Sequence, residues 1–169
     1  PWYSKRTDIR SVIVNGFTSI GDGVFLGCTS LTSVIIPGYI TSIGKSSFSG
    51  CTSLASINIP DYVASIGESA FFNCASLTSI TIPDNVTSID DDTFSGCTSL
   101  ANVIIPDSVT SIGDEAFRYC ISLTDITIPD SVTEIGAGTF YGCTNLASIN
   151  IPDYVASIGD EAFWGFTNL

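Results

Sequence analysis

Apolar residues recur along this chain with a period of twenty-three positions. Complete units share the pattern LxxIxIPDxVxxIGxxAFxxCxx, and they begin at Leu31, Leu54, Leu77, Leu100, Leu123 and Leu146. A shorter unit of twenty-two residues begins at Ile9, and Leu169 begins a further one. The segment LASINIPDYVASIG occurs twice, at residues 54–67 and 146–159. A fixed period of this length predicts a solenoid, in which each unit forms one coil and neighbouring coils share a core.

Within one unit, the order of apolar and polar positions predicts a short strand, a turn and a second corner. In the unit 31–53 the inward side chains are expected to be Leu31, Val34, Ile36, Ile40, Ile43, Phe48 and Cys51. Val34 and Ile36 have the two-residue spacing of a strand, which Pro37 ends because proline cannot donate to a ladder. The pair Pro60-Asp61 of the next unit predicts a turn in which the aspartate bonds the backbone ahead of it.

The segment after each Ile-Gly pair begins with acids and contains alanine, as in GESAFFNC at residues 67–74. Acids are favourable at the N-terminus of a helix, so we expect a short helical or 3-10 turn there, with Phe71 in the core. The fold class is therefore a β-rich solenoid of about seven coils, with parallel strands stacked about 4.8 Å apart. Residues 1–8 form a leading cap segment and residues 9–169 the solenoid.

The units resemble the BspA-like leucine-rich repeats over essentially the whole chain from Ile9 onward. The resemblance is carried by the leucine column, the Ile-Pro at the strand end, the Ile-Gly pairs such as Ile43-Gly44, the Ala-Phe pairs such as Ala70-Phe71, and the cysteine column. It implies a secreted or cell-wall-attached bacterial protein with a role in adhesion or protein binding, and no catalytic residues. The chain departs from the pattern at Asp90, Ile121 and Phe166.

The composition narrows the classes of partner. The formal net charge is −12, with five basic residues against seventeen acidic ones, which argues against binding to nucleic acid or to an anionic membrane. The chain has no run of eighteen apolar residues, so we expect no membrane insertion. It begins PWYSKR without an initiator methionine, which is typical of a mature or excised segment.

The six cysteines follow the repeat, with one in each coil at positions 28, 51, 74, 97, 120 and 143. This spacing predicts a column of buried free thiols that act as small apolar side chains, rather than three disulfides. A metal site needs converging ligands such as histidine or closely spaced cysteine pairs. The chain has no histidine and no such pair, so no metal or cofactor is expected.

Acidic columns provide the only candidate chemistry. One aspartate follows the proline in most units, as in Asp61, Asp84, Asp107, Asp130 and Asp153. Such a column suits calcium binding or a carboxylate pair for glycoside hydrolysis, but its place at a corner favours solvated turn residues. The run Asp90-Asp91-Asp92 favours a solvated helix start over a calcium site. Without histidine, serine has no conventional catalytic base, and we expect no enzyme activity.

The outward positions of the strands form the candidate ligand face. Its members are Ser33, Ile35, Ser56, Asn58, Ser79, Thr81, Asn102, Ile104, Asp125, Thr127, Ser148 and Asn150. Solenoid faces of this kind commonly bind proteins, so we expect an extracellular or host protein as the partner. Candidate aromatic contacts are Tyr39, Tyr62, Tyr141, Tyr154 and Trp164, because tyrosine and tryptophan are enriched at interface hot spots. Since these rings also stack on sugars, carbohydrate binding is the alternative, together with a passive spacer role.

A solenoid must cover its terminal coils. We expect Trp2 and Tyr3 to act as a lid at the N-terminal end. After Leu169 nothing covers the last apolar coil, so either the natural protein continues or two chains associate end to end. Light scattering tests the second expectation.

Overall fold

The computed structural model of the chain describes residues 2–166, with side chains from residue 5 onward, and it shows a solenoid of stacked coils. A 3-10 helix, Trp2–Asp8, precedes the coils. Eleven short strands follow: β1 Ser11–Ile13, β2 Ser19–Ile20, β3 Ser33–Ile35, β4 Ser42–Ile43, β5 Ser65–Ile66, β6 Ser79–Thr81, β7 Ser88–Ile89, β8 Asn102–Ile104, β9 Ser111–Ile112, β10 Glu134–Ile135 and β11 Ser157–Ile158. All strand pairs are parallel, as the repeat predicts.

Two ladders of strands run along the solenoid. The first, which we call the strand face ladder, pairs β1 with β3 and β6 with β8. The second, which we call the Ser-Ile ladder, consists of a three-stranded sheet β2-β4-β5 and a four-stranded sheet β7-β9-β10-β11. In both ladders each residue pairs with the equivalent residue of the neighbouring coil, as Ile43 does with Ile66. Equivalent side chains therefore stand above one another.

The third side of each coil is a run of turns, and here the expected helical or 3-10 turn is only partly right. Single hydrogen bonds of the i+3 to i type occur, for example from Ser49 N to Ser46 O at 3.2 Å. The bonds do not continue into a helix, because residues such as Ser46 and Gly50 have φ values of 53° and 72°. The intervening amides instead bond the next coil, as Phe48 N does to Ala70 O at 2.8 Å. These bonds form a third ladder, the turn ladder.

The core is one continuous cluster that runs through all the coils. The seven inward residues predicted for residues 31–53 are all buried, and the leucine column is buried from Leu31 to Leu146. At its centre, phenylalanine rings stack from coil to coil with centroids 5.2–5.8 Å apart. Their planes lie within 19° of parallel, as in Phe71 and Phe94. Each coil thus buries its apolar residues against its two neighbours, which is the reason a single repeat is insufficient.

The glycine of the Ile-Gly pair allows the coils to approach closely. A Cβ built at Gly113 would lie 2.7 Å from Asp91 N and 2.9 Å from Asp90 C, in the preceding coil. Asp90 occupies the same position one coil earlier and has a Cβ. Between the coils 54–76 and 77–99 the Ser-Ile ladder is interrupted, and β5 does not pair with β7. We attribute this break to the Cβ of Asp90, which holds the two backbones apart.

The segment before the solenoid packs against the first coils. The Arg6 side chain lies within 3.5 Å of the Cβ position at Gly27. The proposed lid residues Trp2 and Tyr3 have side chains outside the described part, and so does Leu169 of the last unit. The division into a cap segment and a solenoid therefore stays a prediction. Across residues 2–166, no helix has the length and apolarity needed to cross a membrane.

Candidate functional site

The strand face consists of the outward side chains of the first ladder. All twelve residues predicted for this face are exposed. Ile13 pairs in register with Ile35, so that two exposed isoleucines lie side by side on adjacent coils. Ile35 is 55% exposed and Ile104 is 62% exposed. The repeat thus presents apolar side chains to solvent within a surface of small polar residues.

The ladder beneath the strand face is not continuous. Strands form where the outward residues are Ser33 and Ile35, or Asn102 and Ile104, but none is present at residues 56–58. A single bridge from Thr127 to Asn150 connects the last two coils on this side. Asparagine and aspartate are disfavoured in strands, which fits the weaker pairing at Asn58, Asp125 and Asn150. Asn102 nevertheless lies within β8, beside the β-favouring Val103 and Ile104.

The aspartates that follow proline are exposed turn residues, as expected. Each turn is closed by a backbone bond, such as that from Val63 N to Pro60 O at 3.0 Å. The expected bond from the aspartate to the backbone ahead is wrong for Asp61, whose carboxylate has no hydrogen bond within the described residues. The carboxylate extends into solvent because the backbone bond alone closes the turn. In residues 2–166 no three His, Cys, Asp or Glu side chains converge as metal ligands.

The acids that follow the Ile-Gly pair have a role that sequence reasoning missed. They do not begin a helix. Asp22 Oδ1 accepts a hydrogen bond from Lys45 N at 2.8 Å, and Asp91 Oδ1 accepts one from Asp114 N at 2.8 Å. Asp114 Oδ1 likewise accepts one from Ala137 N at 2.7 Å, so these three carboxylates bind the backbone of the next coil at the equivalent position, whereas Glu68 binds the Lys45 ammonium. We call this column, residues 22, 45, 68, 91, 114, 137 and 160, the acid column. Recurrence of an aspartate two residues after the isoleucine of the Ser-Ile ladder, as in Asp22, Asp91 and Asp114, is the signal in the sequence.

The expected helix start at Asp90-Asp91-Asp92 is also wrong. Asp90 Oδ1 accepts a hydrogen bond from Ser88 Oγ at 2.9 Å, and Asp92 has a left-handed backbone with φ 55°. A residue with this φ cannot continue a right-handed helix. Burial raises the pKa of the Asp92 carboxyl, and the neighbouring Glu115 and Asp91 carboxylates raise it further.

The six cysteines are free and buried, as the spacing predicts. Each thiol from the second coil onward donates to the carbonyl of a phenylalanine one coil earlier, for example Cys97 Sγ to Phe71 O at 3.1 Å. Burial raises the pKa of Cys51, Cys97 and Cys143 to about 12. These thiols therefore remain protonated at neutral pH, and their arrangement suits packing rather than redox chemistry or nucleophilic attack.

The predicted aromatic contacts fall into two separate groups. Tyr39, Tyr62 and Tyr154 are exposed at the corner after the proline, but Tyr154 lies four coils beyond Tyr62, about 19 Å away by coil spacing. Tyr39 Oη accepts a hydrogen bond from Gly16 N at 3.3 Å. The structure therefore does not bring the three corner tyrosines into one site.

The second group is a contiguous patch on the turn side, which we call the aromatic patch and which consists of Arg118, Tyr119, Tyr141 and Trp164. Tyr141 and Trp164 stack with centroids 4.7 Å apart, and Tyr119 meets Tyr141 edge-on at 5.6 Å. The guanidinium of Arg118 lies 5.0 Å from the Tyr119 ring centroid and 4.8 Å from that of Tyr141.

Sequence reasoning missed Arg118 and Tyr119 as members of this patch. Tyr119 occupies a position with φ 55° where the other coils have glycine or, in one case, Asn73, and its ring lies over Gly142 of the next coil. Arg118 Nη1 donates to Glu115 Oε2 at 2.6 Å, which raises the pKa of the guanidinium. The twenty-three-residue spacing of Arg118, Tyr141 and Trp164 was the available signal.

In the last described coil Ile158 and Trp164 are exposed, whereas Ile135, one coil earlier, is buried. End-to-end association through this coil stays a prediction.

Comparison with known proteins identifies the repeat. The sequence profile of the BspA type leucine rich repeat region matches residues 18–136 and 64–169, in six copies. No curated protein matches the chain.

The chain is also similar to solved structures of bacterial leucine-rich repeat proteins. A leucine rich cell surface protein from Faecalibacterium prausnitzii A2-165 is 37% identical, with a TM-score of 0.79 over 95% of this chain and 41% of that chain. The T. pallidum leucine rich repeat protein is 33% identical, with a TM-score of 0.63 over 94% of this chain and 66% of that chain. A leucine-rich repeat protein from Bacteroides ovatus is 29% identical, with a TM-score of 0.52 over 96% and 60% of the two chains. The chain thus spans about two fifths of the length of the F. prausnitzii structure.

Proposed function

Because the chain belongs to the BspA-type leucine-rich-repeat family, we propose that it is a non-enzymatic recognition or adhesion module of an extracellular bacterial protein. In this proposal the strand face binds a protein partner. The F. prausnitzii relative is described as a cell surface protein, which supports placement outside the cell. The absence of histidine from the sequence and the burial of every thiol support a role without catalysis.

The observation that carries the proposal is the exposure of isoleucine on the strand face. Ile13, Ile35 and Ile104 are each more than half exposed, although the repeat has asparagine or threonine at the same position in other coils. Removing such side chains from water stabilises a complex in proportion to the apolar area that is covered. The surrounding serine, threonine and asparagine side chains provide hydrogen bonds at the rim of an interface.

The test compares two isoleucine substitutions that introduce the same charge. The variant Ile104→Asp alters the strand face, and Ile121→Asp alters an isoleucine that is 41% exposed and follows the cysteine at another corner. Binding of each variant to a panel of extracellular matrix proteins and to a glycan array is measured, and circular dichroism checks that both fold.

We expect Ile104→Asp to abolish protein binding and Ile121→Asp to preserve it. Equal loss in both variants, or binding to glycans alone, would contradict the proposal. Glycan binding that depends on Trp164 would indicate the carbohydrate alternative, and failure to bind either class would indicate a spacer.

A further inference from the structure

A cavity lies at the corner between the coils 31–53 and 54–76, where the strand face ends at the proline turns. It has a volume of about 280 Å³, and its lining residues are Ile36, Gly38, Asn58, Pro60, Asp61 and Tyr62. The other five full units have aspartate directly after the proline, whereas this corner has Gly38. A Cβ at Gly38 would meet nothing within 4 Å, so the missing side chain leaves this wall of the cavity open.

The backbone around the cavity lacks a hydrogen bond that closes the same corner elsewhere. Ile82 N donates to Ile104 O at 3.0 Å. The equivalent bond at this corner would join Ile36 N to Asn58 O, and neither atom has a hydrogen-bond partner among the described residues. Ile36 is buried, and a buried amide without a partner is costly. A ligand that bonds this amide would therefore remove a cost that the folded chain carries.

A tyrosine contact that closes the preceding corner is also absent. Tyr39 Oη accepts a hydrogen bond from Gly16 N at 3.3 Å. Tyr62 and Gly38 occupy the same repeat positions one coil later, but within the part of the chain that the structure describes Gly38 N has no partner. Tyr62 is 70% exposed. The corner thus presents an amide donor and an accessible aromatic ring to the same space.

The groups around the cavity match the hydrogen-bonding chemistry of a neutral sugar. The amides of Ile36 and Gly38 can donate, whereas Asn58 O and the Asp61 carboxylate can accept. The Asp61 carbonyl is already bonded by Asn85 Nδ2 at 2.7 Å, so only its carboxylate is available. Sugar hydroxyls both donate and accept, which allows one ring to satisfy all four groups.

The aromatic ring and the size of the cavity narrow the ligand further. A pyranose has a face of C–H groups, which can lie against the negative face of the Tyr62 ring. The volume is slightly below the roughly 300–1,000 Å³ of drug-sized sites, which suits one compact ring better than a peptide segment. The chain's net charge of −12 disfavours sugars that carry a carboxylate or sulfate.

The duplicated segment provides an internal comparison. The residues around Tyr62 occur again around Tyr154, residue for residue. In the coil before Tyr154, however, aspartate takes the place of Gly38, and a bridge joins Thr127 to Asn150 on the strand face. The second copy therefore has the same tyrosine beside a joint that is paired.

We propose that the corner at Tyr62 binds one neutral hexopyranose ring of a glycan. The Tyr62 ring lies against one face of the sugar, and the amides of Ile36 and Gly38 donate to its oxygens. This activity goes beyond the proposed protein recognition and does not depend on the exposed isoleucines of the strand face.

The test follows the amide resonances of the isotope-labelled chain in heteronuclear NMR spectra during titration. The probes are methyl α-D-mannopyranoside, methyl α-D-glucopyranoside and methyl β-D-galactopyranoside, each added separately, with glycerol as a polyol that has no ring. We expect saturable shifts of the Ile36 and Gly38 amides with at least one glycoside, and none with glycerol.

Each variant at the corner has a matched control in the duplicated segment. Tyr62→Ala is expected to abolish the saturable shifts, and Tyr154→Ala is expected to preserve them. Asp61→Asn is expected to weaken binding about tenfold, the size of one hydrogen bond to a charged group. Asp153→Asn removes the same charge from the second copy and is expected to have no effect.

The absence of saturable shifts with all three glycosides, equal shifts with glycerol, or equal loss in Tyr62→Ala and Tyr154→Ala would each overturn the proposal. The peptide acetyl-Val-Thr-Val-amide tests whether the unpaired backbone atoms bind a strand instead, and tighter binding of this peptide than of any glycoside would also overturn it. Ile104→Asp, which tests the strand face, is expected to bind the glycoside normally. Failure of the sugar site is thereby separated from failure of the proposed function.

Discussion

Replacement of Gly113 by alanine tests whether close approach of the coils depends on the glycine of the Ile-Gly pair. The new Cβ would lie 2.7 Å from Asp91 N and 2.9 Å from Asp90 C, and it would also meet Asp91 Oδ1. Backbone atoms at this distance must move. The break in the Ser-Ile ladder before Asp90 shows the outcome when a Cβ is present at this position.

The expected loss of stability follows from the hydrogen bonds between the coils 77–99 and 100–122. Thr110 N donates to Thr87 O at 2.9 Å, and Gly113 N donates to Ile89 O at 2.8 Å. Loss of two backbone bonds costs about 1–3 kcal/mol. Alanine offsets about 0.4–1 kcal/mol of this by restricting the unfolded chain. We expect Gly113→Ala to lower the free energy of unfolding by about 1–2 kcal/mol, with about 2–4 °C of melting temperature for each kcal/mol.

The matched control is Gly38→Ala. A Cβ at Gly38 would meet nothing within 4 Å, and the residue does not have a left-handed φ. This variant should be neutral or stabilised by about 0.4–1 kcal/mol. Urea denaturation measures both variants, and amide hydrogen exchange locates the change. Exchange should accelerate at Thr110 and Gly113 but not at Phe94, whose amide bonds Ala116 O in the turn ladder at 2.8 Å.

Equal stability of Gly113→Ala and Gly38→Ala would refute the reasoning. The reciprocal variant Asp90→Gly gives a second check. It should allow the amide of Thr87 to bond the preceding coil and to exchange more slowly, although it removes the bond from Ser88 Oγ to Asp90 Oδ1.

Further predictions concern the core columns. Cys51, Cys97 and Cys143 have a pKa of about 12 in the folded protein, so these thiols stay protonated above pH 9. Thiols of the unfolded chain ionise in that range, so the unfolded state binds fewer protons than the folded state. The free energy of unfolding should therefore fall between about pH 9 and pH 12, by about 1.4 kcal/mol per pH unit and thiol. Urea titrations at several pH values measure the slope, which Cys97→Ala should reduce; an unchanged slope would contradict the assignment. Phe94→Leu should cost about 1–3 kcal/mol because two stacked ring contacts are lost. Phe163→Leu, at a half-buried ring, should cost less, and the reverse order in urea denaturation would argue against the stack.

The columns of the core could be predicted from the sequence because they depend only on the repeat length. Once twenty-three residues complete one coil, Phe71 must stack on Phe94 and Cys74 must lie beneath Cys97. The same reasoning identified the exposed strand face, since Val34 and Ile35 point to opposite sides of a strand.

The turns could not be predicted in the same way. Serine and glutamate carry no signal for a left-handed backbone, yet Ser46 and Glu115 have φ values of 53° and 54° at the repeat position where Gly138 has 59°. The third ladder depends on these conformations. The break in the Ser-Ile ladder at Asp90 depends on how closely two coils approach each other, a distance that the pattern within one coil does not give. The aromatic patch required Tyr119 to lie over a glycine of the next coil, a contact between coils rather than a property of either one.

The joint between the coils 54–76 and 77–99 has a mechanical consequence. Neither the Ser-Ile strands nor the strand face pairs there, whereas the turn ladder continues through Ser69 N to Asp91 O at 2.9 Å and Phe71 N to Thr93 O at 2.9 Å.

On the strand-face side of this joint Thr78 N still donates to Ala55 O at 3.1 Å, and Asn85 Nδ2 donates to Asp61 O at 2.7 Å, whereas no backbone hydrogen bond joins the Ser-Ile sides of these two coils among the described residues. This joint therefore lacks the Ser-Ile strand pairing that both neighbouring joints have. Tension applied along the solenoid should therefore concentrate at this seam, and the molecule should yield there as two blocks before either block unwinds.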